Sequence, residues 1–425
     1  MGSVKRCCRW RKLVYSVDEA LARILEIFSP LPTERVRLED AYGRILAEPV
    51  QAAHDLPPFP NSALDGYAVR AAEVAAAKAE TPVRLPVSGD IPAGSLPAMP
   101  LPSQTAMRIM TGAPLPEGAD AVVPVEQTDD APSRFEVNST LPESVLIRAA
   151  VGVGNGVRQG GEDVRQGAVV LRAGRRLRAA DVGILAGLGV AQVPVVRRPV
   201  VAVLSTGDEL LPPHMPLMAG KIHDMNSVAL CALVQAVGGV ARFMGIAADS
   251  VEAVYSRLEA AADADMIVST AGVSVGTLDV VKEAVTRRGT LSLWRVNMRP
   301  GKPLAFGDFG GVPFFGLPGN PVSALVTFDV FVRPALQKLL GIPTDAAPQR
   351  TAEVGEVLHS DGRRTYARVK LTRQAERLIA FSTGTQSSGA ISSLVNADGL
   401  LIIPEGMTEV PIGTRLPVRL FDQDM

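Results

Sequence analysis

The stretch PVVAVLSTGDEL, residues 199–210, opens the part of the chain that decides the fold. Its first half is a continuous apolar run, which is typical of a strand buried on both faces, and a loop with glycine and carboxylates follows. Strand-like and helix-like segments then alternate as far as Gly341, which predicts a doubly wound, mostly parallel α/β sheet with helices on both faces. The predicted strands are residues 199–204, 241–247, 266–269 and 313–315, and the predicted helices are residues 227–237, 251–262, 279–288 and 322–340.

The sequence on either side of this segment has a different character. Residues Ser16-Val-Asp-Glu19 predict a capping box at the start of an amphipathic helix. Between residues 81 and 158, and again after a linker at 343–348, short apolar runs are separated by turn residues, which predicts two small β-rich domains. These runs are residues 83–87, 106–110, 121–125, 366–372, 378–382, 400–403 and 416–420.

The composition excludes several classes of protein. The 425 residues carry 43 Lys and Arg against 44 Asp and Glu, a net charge of -1 that gives no support to nucleic-acid or anionic-membrane binding. The three cysteines provide no disulfide framework, and the four histidines show no zinc-binding spacing. Since no apolar run approaches the ~20 residues that span a bilayer, we expect a cytoplasmic protein that binds neither nucleic acid nor membrane.

Three loops that follow predicted strands are rich in glycine, serine and threonine. They are residues 205–210, 270–279 and 316–323. Because the carboxyl ends of parallel strands lie at one edge of a sheet, ligands of such folds bind there. The candidate substrate-contacting residues in these loops are Ser205, Thr206, Gly207, Gly272, Ser274, Gly276, Pro318, Gly319, Asn320 and Ser323.

The third loop is a candidate anion pocket. Asn320 suits a helix N-cap and Pro321 the first helical position, so backbone N–H groups at the positive end of the helix would face a ligand. An ordinary capped helix is the alternative. Just upstream, Arg295, Arg299 and Lys302 could hold a dense oxyanion, or could form the charged edge of a solvated strand.

Three carboxylates follow strands or lie in glycine-rich loops, namely Glu209, Asp249 and Asp279. Carboxylates beside a phosphate pocket are typical ligands of Mg²⁺, which takes one or two of them together with phosphate oxygens. Asp249 is equally well placed to cap the following helix. In the first β-rich region, Asp65 and Thr111 lie at glycine turns, and on the residues alone both are better explained as turns than as site residues.

Other common chemistries lack their motifs in this sequence. It contains neither a GxxxxGKS or GxxxxGKT phosphate loop nor a GxSxG nucleophile elbow. The glycine string Gly152-x-Gly154-x-Gly156 lacks the strand–turn–helix context of a dinucleotide site.

Taken together, these motifs resemble one family, the molybdopterin molybdenumtransferases or MoeA family, which includes the E domain of gephyrin. Two of the loop motifs also occur in the related adenylyl-transfer domain, but the full set in family order is highly specific. Ala271 departs from the usual glycine, and Arg295 and Arg299 stand where lysine is common, so the positive charge is retained. The matching blocks are NSALDGYA (61–68), MTGAP (110–114), ADAVVPVEQ (119–127), RQGGEDV (158–164), STGDEL (205–210), STAGVSVG (269–276), RPGKP (299–303) and LPGNPVSA (317–324).

The resemblance implies an enzyme of molybdenum cofactor biosynthesis. Such an enzyme takes adenylyl-molybdopterin and molybdate, inserts molybdenum at the dithiolene, and releases AMP in the presence of Mg²⁺. The resemblance also implies a homodimer with its active site at the subunit crevice, built from four-domain subunits. The implied domains are a linking domain (31–60 and 152–196), an inserted β-rich domain (61–151), the molybdopterin-binding α/β domain (13–30 and 197–342) and a C-terminal β-barrel-like domain (346–425).

The resemblance further assigns roles to individual residues. The implied catalytic residues are Asp65, Thr111, Glu209, Asp249 and Asp279, with the first two coming from the partner subunit and the last three also binding the metal. The molybdate-binding positions of the family map onto Arg299, Lys302, Ser323, Arg368 and Ser388. The implied protein partners are the enzyme that makes adenylyl-molybdopterin and the apoproteins of molybdoenzymes.

Two other functions stay open on the sequence. A molybdopterin adenylyltransferase would need only the α/β domain, which leaves the β-rich domains and the motifs at Asp65 and Thr111 unexplained. A scaffold without catalysis could keep the same fold and bind a receptor peptide, as gephyrin also does, although the retained acids argue against a purely structural role.

Overall fold

The computed structural model describes residues 14–130, 140–270, 277–342 and 349–421 of the chain. The α-helices of these residues are α1 (Val17–Leu25), α2 (Ala179–Gly187), α3 (Asn226–Val237), α4 (Val251–Glu259), α5 (Thr277–Thr286), α6 (Pro321–Thr327), α7 (Arg333–Leu339) and α8 (Ser392–Val395). The strands of the first half are β1 (Val14–Tyr15), β2 (Thr33–Arg37), β3 (Val50–Gln51), β4 (Asn61–Ser62), β5 (Gly66–Val69), β6 (Val83–Ile91), β7 (Ala106–Ile109), β8 (Ala121–Pro124), β9 (Ser144–Ile147), β10 (Val157–Arg158), β11 (Val169–Leu171) and β12 (Gln192–Val196).

The strands of the second half fall into two groups. Those before residue 343 are β13 (Val200–Thr206), β14 (Leu210–Leu211), β15 (Ile222–His223), β16 (Val240–Ala247), β17 (Met266–Thr270), β18 (Gly289–Val296), β19 (Met298–Arg299), β20 (Pro303–Phe309) and β21 (Val312–Leu317). Those after residue 348 are β22 (Gln349–Val354), β23 (Leu358–His359), β24 (Arg364–Gln374), β25 (Arg377–Ser382), β26 (Gly399–Ile403), β27 (Glu409–Val410) and β28 (Arg415–Leu420). The predicted linker at 343–348 lies outside the described residues.

A seven-stranded sheet forms the centre of the molecule, with the strand order β1-β18-β20-β21-β17-β13-β16. The strands β16, β13, β17 and β21 run parallel, as the alternating pattern predicts. Helices pack on both faces, because one buried apolar cluster contains Leu230 of α3 and Val322 of α6 while another contains Val254 of α4 and Val281 of α5. The four predicted strands of this region and its first three predicted helices begin and end within three residues of the predicted bounds.

One side of the central sheet is antiparallel, which the alternating pattern does not predict. The strand β20 runs antiparallel to both β18 and β21. The chain between these strands contains no crossover helix, and without one adjacent strands must reverse direction. A two-residue turn joins β20 to β21, and both of its residues, Gly310 and Gly311, have positive φ (59° and 90°), as the tight turns of twisted hairpins require.

The capping box predicted for the first helix is confirmed. The Ser16 hydroxyl accepts a hydrogen bond from the Glu19 backbone N–H (3.2 Å), and the Glu19 carboxylate accepts one from the Ser16 N–H (2.9 Å). Ala20 and Ile24 are buried on the inner face of α1, and Asp18 on the outer face binds Arg364 of the C-terminal region through two contacts of 2.6 and 2.8 Å. The helix therefore joins the N-terminal end of the chain to its C-terminal strands.

The long helix predicted at 322–340 is interrupted by a π-helical turn, Phe328–Val332, between α6 and α7. The buried Asp329 lies in this turn. Its carboxylate binds Arg333 one turn later and Arg419 of β28, each at 2.6 Å. Asp329 therefore connects the α/β region to the C-terminal strands through a largely buried carboxylate.

We expect the variant Asp329→Ala to lower the free energy of unfolding by about 3 kcal/mol, because two guanidiniums lose their partner in a largely buried setting. The matched control is Asp263→Ala, since Asp263 binds Arg242 bidentately but its side chain is 70% exposed. The control is expected to cost less than about 1 kcal/mol. Urea unfolding of both variants measures the difference, and equal losses would contradict the expectation.

The two small β-rich regions flank the central sheet in sequence. The strands β8-β5-β7-β6-β9 form a five-stranded sheet in the first region. In the C-terminal region the order β24-β25-β22-β28-β26 closes on itself, because β26 also pairs with β24. Around residues 33–62, the short strands β2, β3 and β4 pair with β12, β11 and β10. The exact domain boundaries stay predictions. In the part of the chain that the structure describes, no helix is long and apolar enough to cross a membrane.

Candidate functional site

The register of the central sheet aligns the ends of its parallel strands at one edge. Ser205 at the end of β13 lies opposite Thr270 at the end of β17, and Thr270 lies opposite Leu317 at the end of β21. On the other side of β13, Thr206 lies opposite Ala247 at the end of β16. The loops that follow these strands therefore start side by side. We call this edge the rim.

Some of the predicted substrate-contacting residues are buried within the rim. Ser205 and Thr206 are almost completely buried, at 0% and 1% exposure. The Ser205 and Thr270 hydroxyls lie 3.1 Å apart, and the Thr206 hydroxyl donates to the Thr270 carbonyl at 3.4 Å. Both side chains thus join β13 to β17. The candidates Gly272, Ser274 and Gly276 lie outside the described residues, as does Ala271.

Gly207 is the first residue after β13, and its backbone needs glycine. Its φ is +151°, and a side chain there would begin 2.7 Å from the Glu209 carboxylate. A larger residue would therefore displace that carboxylate. Glu209 and its neighbour Asp208 are both exposed at this point of the rim.

Two of the three predicted acids lie close to each other. The backbone N–H of Asp249, which follows β16, donates to the Asp208 carboxylate at 3.1 Å. Burial raises the pKa of Asp249, a hydrogen bond from the Asp208 backbone opposes this, and the negative charges of Asp208 and Glu209 raise the pKa further. The third acid, Asp279, is exposed in the first turn of α5. Within the four described ranges, no group of three His, Cys, Asp or Glu is placed to hold a metal ion by itself.

The raised pKa of Asp249 predicts a pH-dependent effect of Asp249→Asn on stability. The ionised Asp249 carboxylate destabilises the folded state. This destabilisation is fully present above the folded-state pKa, and it is absent below about 3.9, the pKa of an aspartate in the unfolded chain. The variant should therefore unfold at a higher temperature than the parent at pH 7.5, and this gain should vanish as the pH falls towards 4. Calorimetry at several pH values measures it, and an unchanged or lower unfolding temperature at pH 7.5 would contradict the expectation.

The candidate anion pocket begins at Asn320, which lies at the N-cap position of α6 with Pro321 after it. The predicted N-cap position is confirmed, but the exposed Asn320 side chain makes no capping hydrogen bond. Backbone groups from elsewhere satisfy part of the helix end instead. The Val322 N–H donates to the Ser388 carbonyl of the C-terminal region at 3.1 Å, and Ser323 beside it is buried. The structure thus brings the predicted residues Ser323 and Ser388 close together at the start of α6.

Asn226 is a rim residue that the sequence analysis missed. Its side-chain N–H donates to the carbonyl of Gly319 at 2.8 Å, which fixes the loop Pro318–Gly319–Asn320 against the start of α3. Its side-chain oxygen is buried and has no hydrogen-bond partner among the described residues. A single asparagine at the start of a helix gives only a weak signal in the sequence, since such residues are common there for capping alone.

The predicted cations lie on β18, on β19 and in the loop before β20. Arg295 and Lys302 are exposed beside the rim, on either side of the turn between β18 and β20. Arg299 lies on β19, which pairs with β24 of the C-terminal region, and its guanidinium is 3.7 Å from Asp361.

A cavity of about 250 Å³ connects Arg299 to the C-terminal strands. Arg368 of β24 lines it and is 2% exposed. The guanidinium donates to the Ser393 hydroxyl and the Ser387 carbonyl, both at 3.2 Å, and both of these partners are neutral. Burial, together with the nearby charge of Arg299, lowers the pKa of Arg368 to about 10. Two guanidiniums at one small cavity form a setting that an oxyanion would stabilise.

Asp65 and Thr111 form a pair in the inserted β-rich region. The Thr111 backbone N–H and hydroxyl both donate to one carboxylate oxygen of Asp65, at 2.7 and 2.9 Å. Both residues are exposed. Gly66 after Asp65 is required by packing, because a Cβ there would lie 2.0 Å from the Val123 carbonyl oxygen. Asp65 lies at a bend and Thr111 at a turn, and together they form one exposed polar pair.

All three parts of the chain match known protein families. Residues 15–189 match the MoeA N-terminal region (domain I and II), residues 202–338 a probable molybdopterin binding domain, and residues 351–421 the MoeA C-terminal region (domain IV). Molybdopterin molybdenumtransferase 2 of Mycobacterium tuberculosis is 41% identical over 411 residues, which cover 95% of this chain and 98% of that protein. The molybdopterin molybdenumtransferase of Bacillus subtilis is 35% identical, with 96% and 94% covered.

The fold agrees with a solved structure of the same kind. A molybdopterin biosynthesis MoeA protein from Pyrococcus horikoshii superimposes with a TM-score of 0.78 at 33% sequence identity. The match covers 96% of this chain and 100% of that one. The predicted fold class, an α/β domain with a linking domain and two small β-rich domains, is confirmed.

Proposed function

The chain belongs to the family of molybdopterin molybdenumtransferases, and on that premise we propose that it inserts molybdenum from molybdate into the dithiolene of adenylyl-molybdopterin and releases AMP. It is accordingly a transferase of molybdenum cofactor biosynthesis. The observation that best supports an oxyanion substrate is the cavity shared by Arg299 and Arg368, where a buried guanidinium has only neutral partners.

In this proposal the protein contributes positioning and electrostatics more than covalent chemistry. Arg299, Arg368 and Lys302 hold molybdate, with Ser323 and Ser388 beside them, while the rim loops hold the phosphate-bearing pterin. The dithiolene sulfurs are the nucleophiles, and as Mo–S bonds form the displaced oxygen of molybdate leaves as water with the thiol protons. A further water molecule cleaves the phosphoanhydride and releases AMP. Since the two substrates are both anions, the main task of the site is to hold them together against their repulsion.

Magnesium is the proposed cofactor, and the acids of the rim fit it. Burial raises the pKa of Asp249, the nearby charges of Asp208 and Glu209 raise it further, and a cation would relieve this crowding of negative charge. Mg²⁺ needs only one or two carboxylates when phosphate oxygens complete its shell. Glu209, Asp249 and Asp279 would hold it between them and the substrate. When bound, the ion neutralises charge on the phosphoanhydride that is cleaved.

A homodimer is part of the same proposal. The exposed Asp65–Thr111 pair would complete the site of the partner subunit across the crevice. The proposed protein partners are the enzyme that makes adenylyl-molybdopterin and the apoproteins that receive the finished cofactor, and the proposed location is the cytoplasm.

The test is AMP release from adenylyl-molybdopterin by the purified protein, with and without molybdate and with tungstate in its place. The proposal expects AMP release that depends on the oxyanion. Incorporation of AMP from ATP into molybdopterin would favour the adenylyltransferase instead, and an inactive protein would favour the scaffold.

A further inference from the structure

The side chain of Gln386 is bound to the backbone of Arg368 in both directions. The Arg368 N–H donates to the Gln386 side-chain oxygen at 3.0 Å, and the Gln386 amide N–H donates to the Arg368 carbonyl at 3.1 Å. The same amide nitrogen lies 3.1 Å from the Ser382 hydroxyl. Glutamine can form this arrangement because its amide combines an acceptor with two donors.

The contacts of Gln386 join a loop to the strand that carries Arg368. The Thr383 N–H also donates to the Arg368 carbonyl (3.1 Å), and the Arg368 guanidinium donates to the Ser387 carbonyl (3.2 Å). The next residue, Ser388, accepts the hydrogen bond from Val322 at the start of α6. Residues 382–388 therefore run directly from the guanidinium of Arg368 to the helix end at the rim.

Gln386 also lines the cavity of Arg299 and Arg368, together with Glu356. The Glu356 carboxylate accepts a hydrogen bond from the Ser382 N–H at 2.5 Å, which directs it towards the loop. The backbone of the cavity wall is thus fixed from both sides, by Glu356 at Ser382 and by Gln386 at Arg368.

We propose that Gln386 is a positioning residue for the oxyanion substrate, which acts by fixing the backbone of Arg368 and the loop that carries Ser388. This inference rests on the proposed function, in which these two residues bind molybdate. Without the glutamine amide, the loop loses both of its side-chain hydrogen bonds to the strand, one at the Arg368 N–H and one at the Arg368 carbonyl. The guanidinium would then explore several orientations, and the preorganisation that an oxyanion site needs would be lost.

The experiment compares Gln386→Ala and Gln386→Glu with the control Gln374→Ala, in full-length protein. Gln374 is exposed at the end of the same strand, β24. We expect Gln386→Ala to raise the molybdate concentration for half-maximal AMP release about tenfold, the size of losing one or two ordinary hydrogen bonds. The kcat at saturating molybdate and the KM for adenylyl-molybdopterin should stay within about twofold of the parent, and the control should match the parent in all three.

The glutamate variant separates positioning from mere folding. It keeps the acceptor for the Arg368 N–H but cannot donate, and it adds a negative charge at the cavity, so the molybdate requirement should rise by more than tenfold. Protection of the protein by molybdate against thermal unfolding should weaken in the same order, and this readout does not depend on turnover. A parent-like molybdate requirement in both variants would overturn the inference, as would a loss of kcat without a change in that requirement. Failure of the parent protein to release AMP would instead overturn the proposed function.

Discussion

Replacing Glu209 or Asp279 by alanine is expected to abolish molybdate-dependent AMP release, with a loss of at least about 1,000-fold. Both side chains are exposed, so their removal should leave the fold unchanged. In the proposed reaction they hold the magnesium ion or activate the phosphoanhydride, and each variant removes one of these contributions. Single-turnover AMP release measures the effect.

The matched control for this prediction is Glu283→Ala. Glu283 lies on the same helix as Asp279, one turn later, and is likewise exposed. It should retain the turnover of the parent protein. If Glu209→Ala and Asp279→Ala also turn over normally, the assignment of the rim acids to metal binding and catalysis is wrong.

Removing the guanidinium of Arg368 is the change with the second large expected effect. It should mainly raise the molybdate concentration that AMP release requires. Charge-assisted hydrogen bonds are each worth about 1.5–3 kcal/mol, so Arg368→Ala should raise the molybdate requirement about 100-fold. Arg368→Lys should recover only part of this, because an ammonium keeps the charge but loses the flat pair of donors. The half-buried Arg299 should show a smaller effect of the same kind.

The control for Arg368 is Arg373→Ala, an exposed arginine on the same strand. It should leave the molybdate requirement unchanged. If Arg368→Ala instead weakens the use of adenylyl-molybdopterin and leaves molybdate unaffected, the two anions have been assigned to the wrong ends of the site.

Local patterns in the sequence predict much of this fold. Ser16 and Glu19 have the spacing of a capping box, and the box is present. The apolar run before Ser205 is a buried strand, and its register with Thr270 follows from the parallel sheet. Such features depend on residues that are neighbours in the chain or lie on one strand, so their pattern is visible without the fold.

The parts that the sequence does not predict depend on contacts between distant segments. The π-helical turn around Asp329 accompanies a bond to Arg419, which is 90 residues away. The reversal of β20 depends on the absence of a crossover helix between it and its neighbours, which a pattern of apolar residues does not report. The periodicity of residues 322–340 is helical throughout, so it gives no sign of the interruption.

The residues of the candidate site also fall into those that local sequence patterns predict and those that they do not. The loops at Gly207 and Asn320 can be found because glycine and helix-capping residues follow buried strands. Asn226 and Gln386 cannot, since each acts through the backbone of a residue outside its own local segment. Asn226 binds Gly319, 93 residues away, and Gln386 binds Arg368 of β24, 18 residues away. The family resemblance supplies Arg368 and Ser388, but not the residue that holds them together.

The most direct test of this account is the position of an oxyanion bound to the protein. Tungstate is close to molybdate in size and scatters X-rays strongly, so crystals grown with it would reveal the site by anomalous diffraction. We predict the strongest peak in the cavity between Arg299 and Arg368, beside Ser388. A peak elsewhere, for example in the cleft lined by Arg176 and Arg198, with nothing bound at Arg368, would contradict the account.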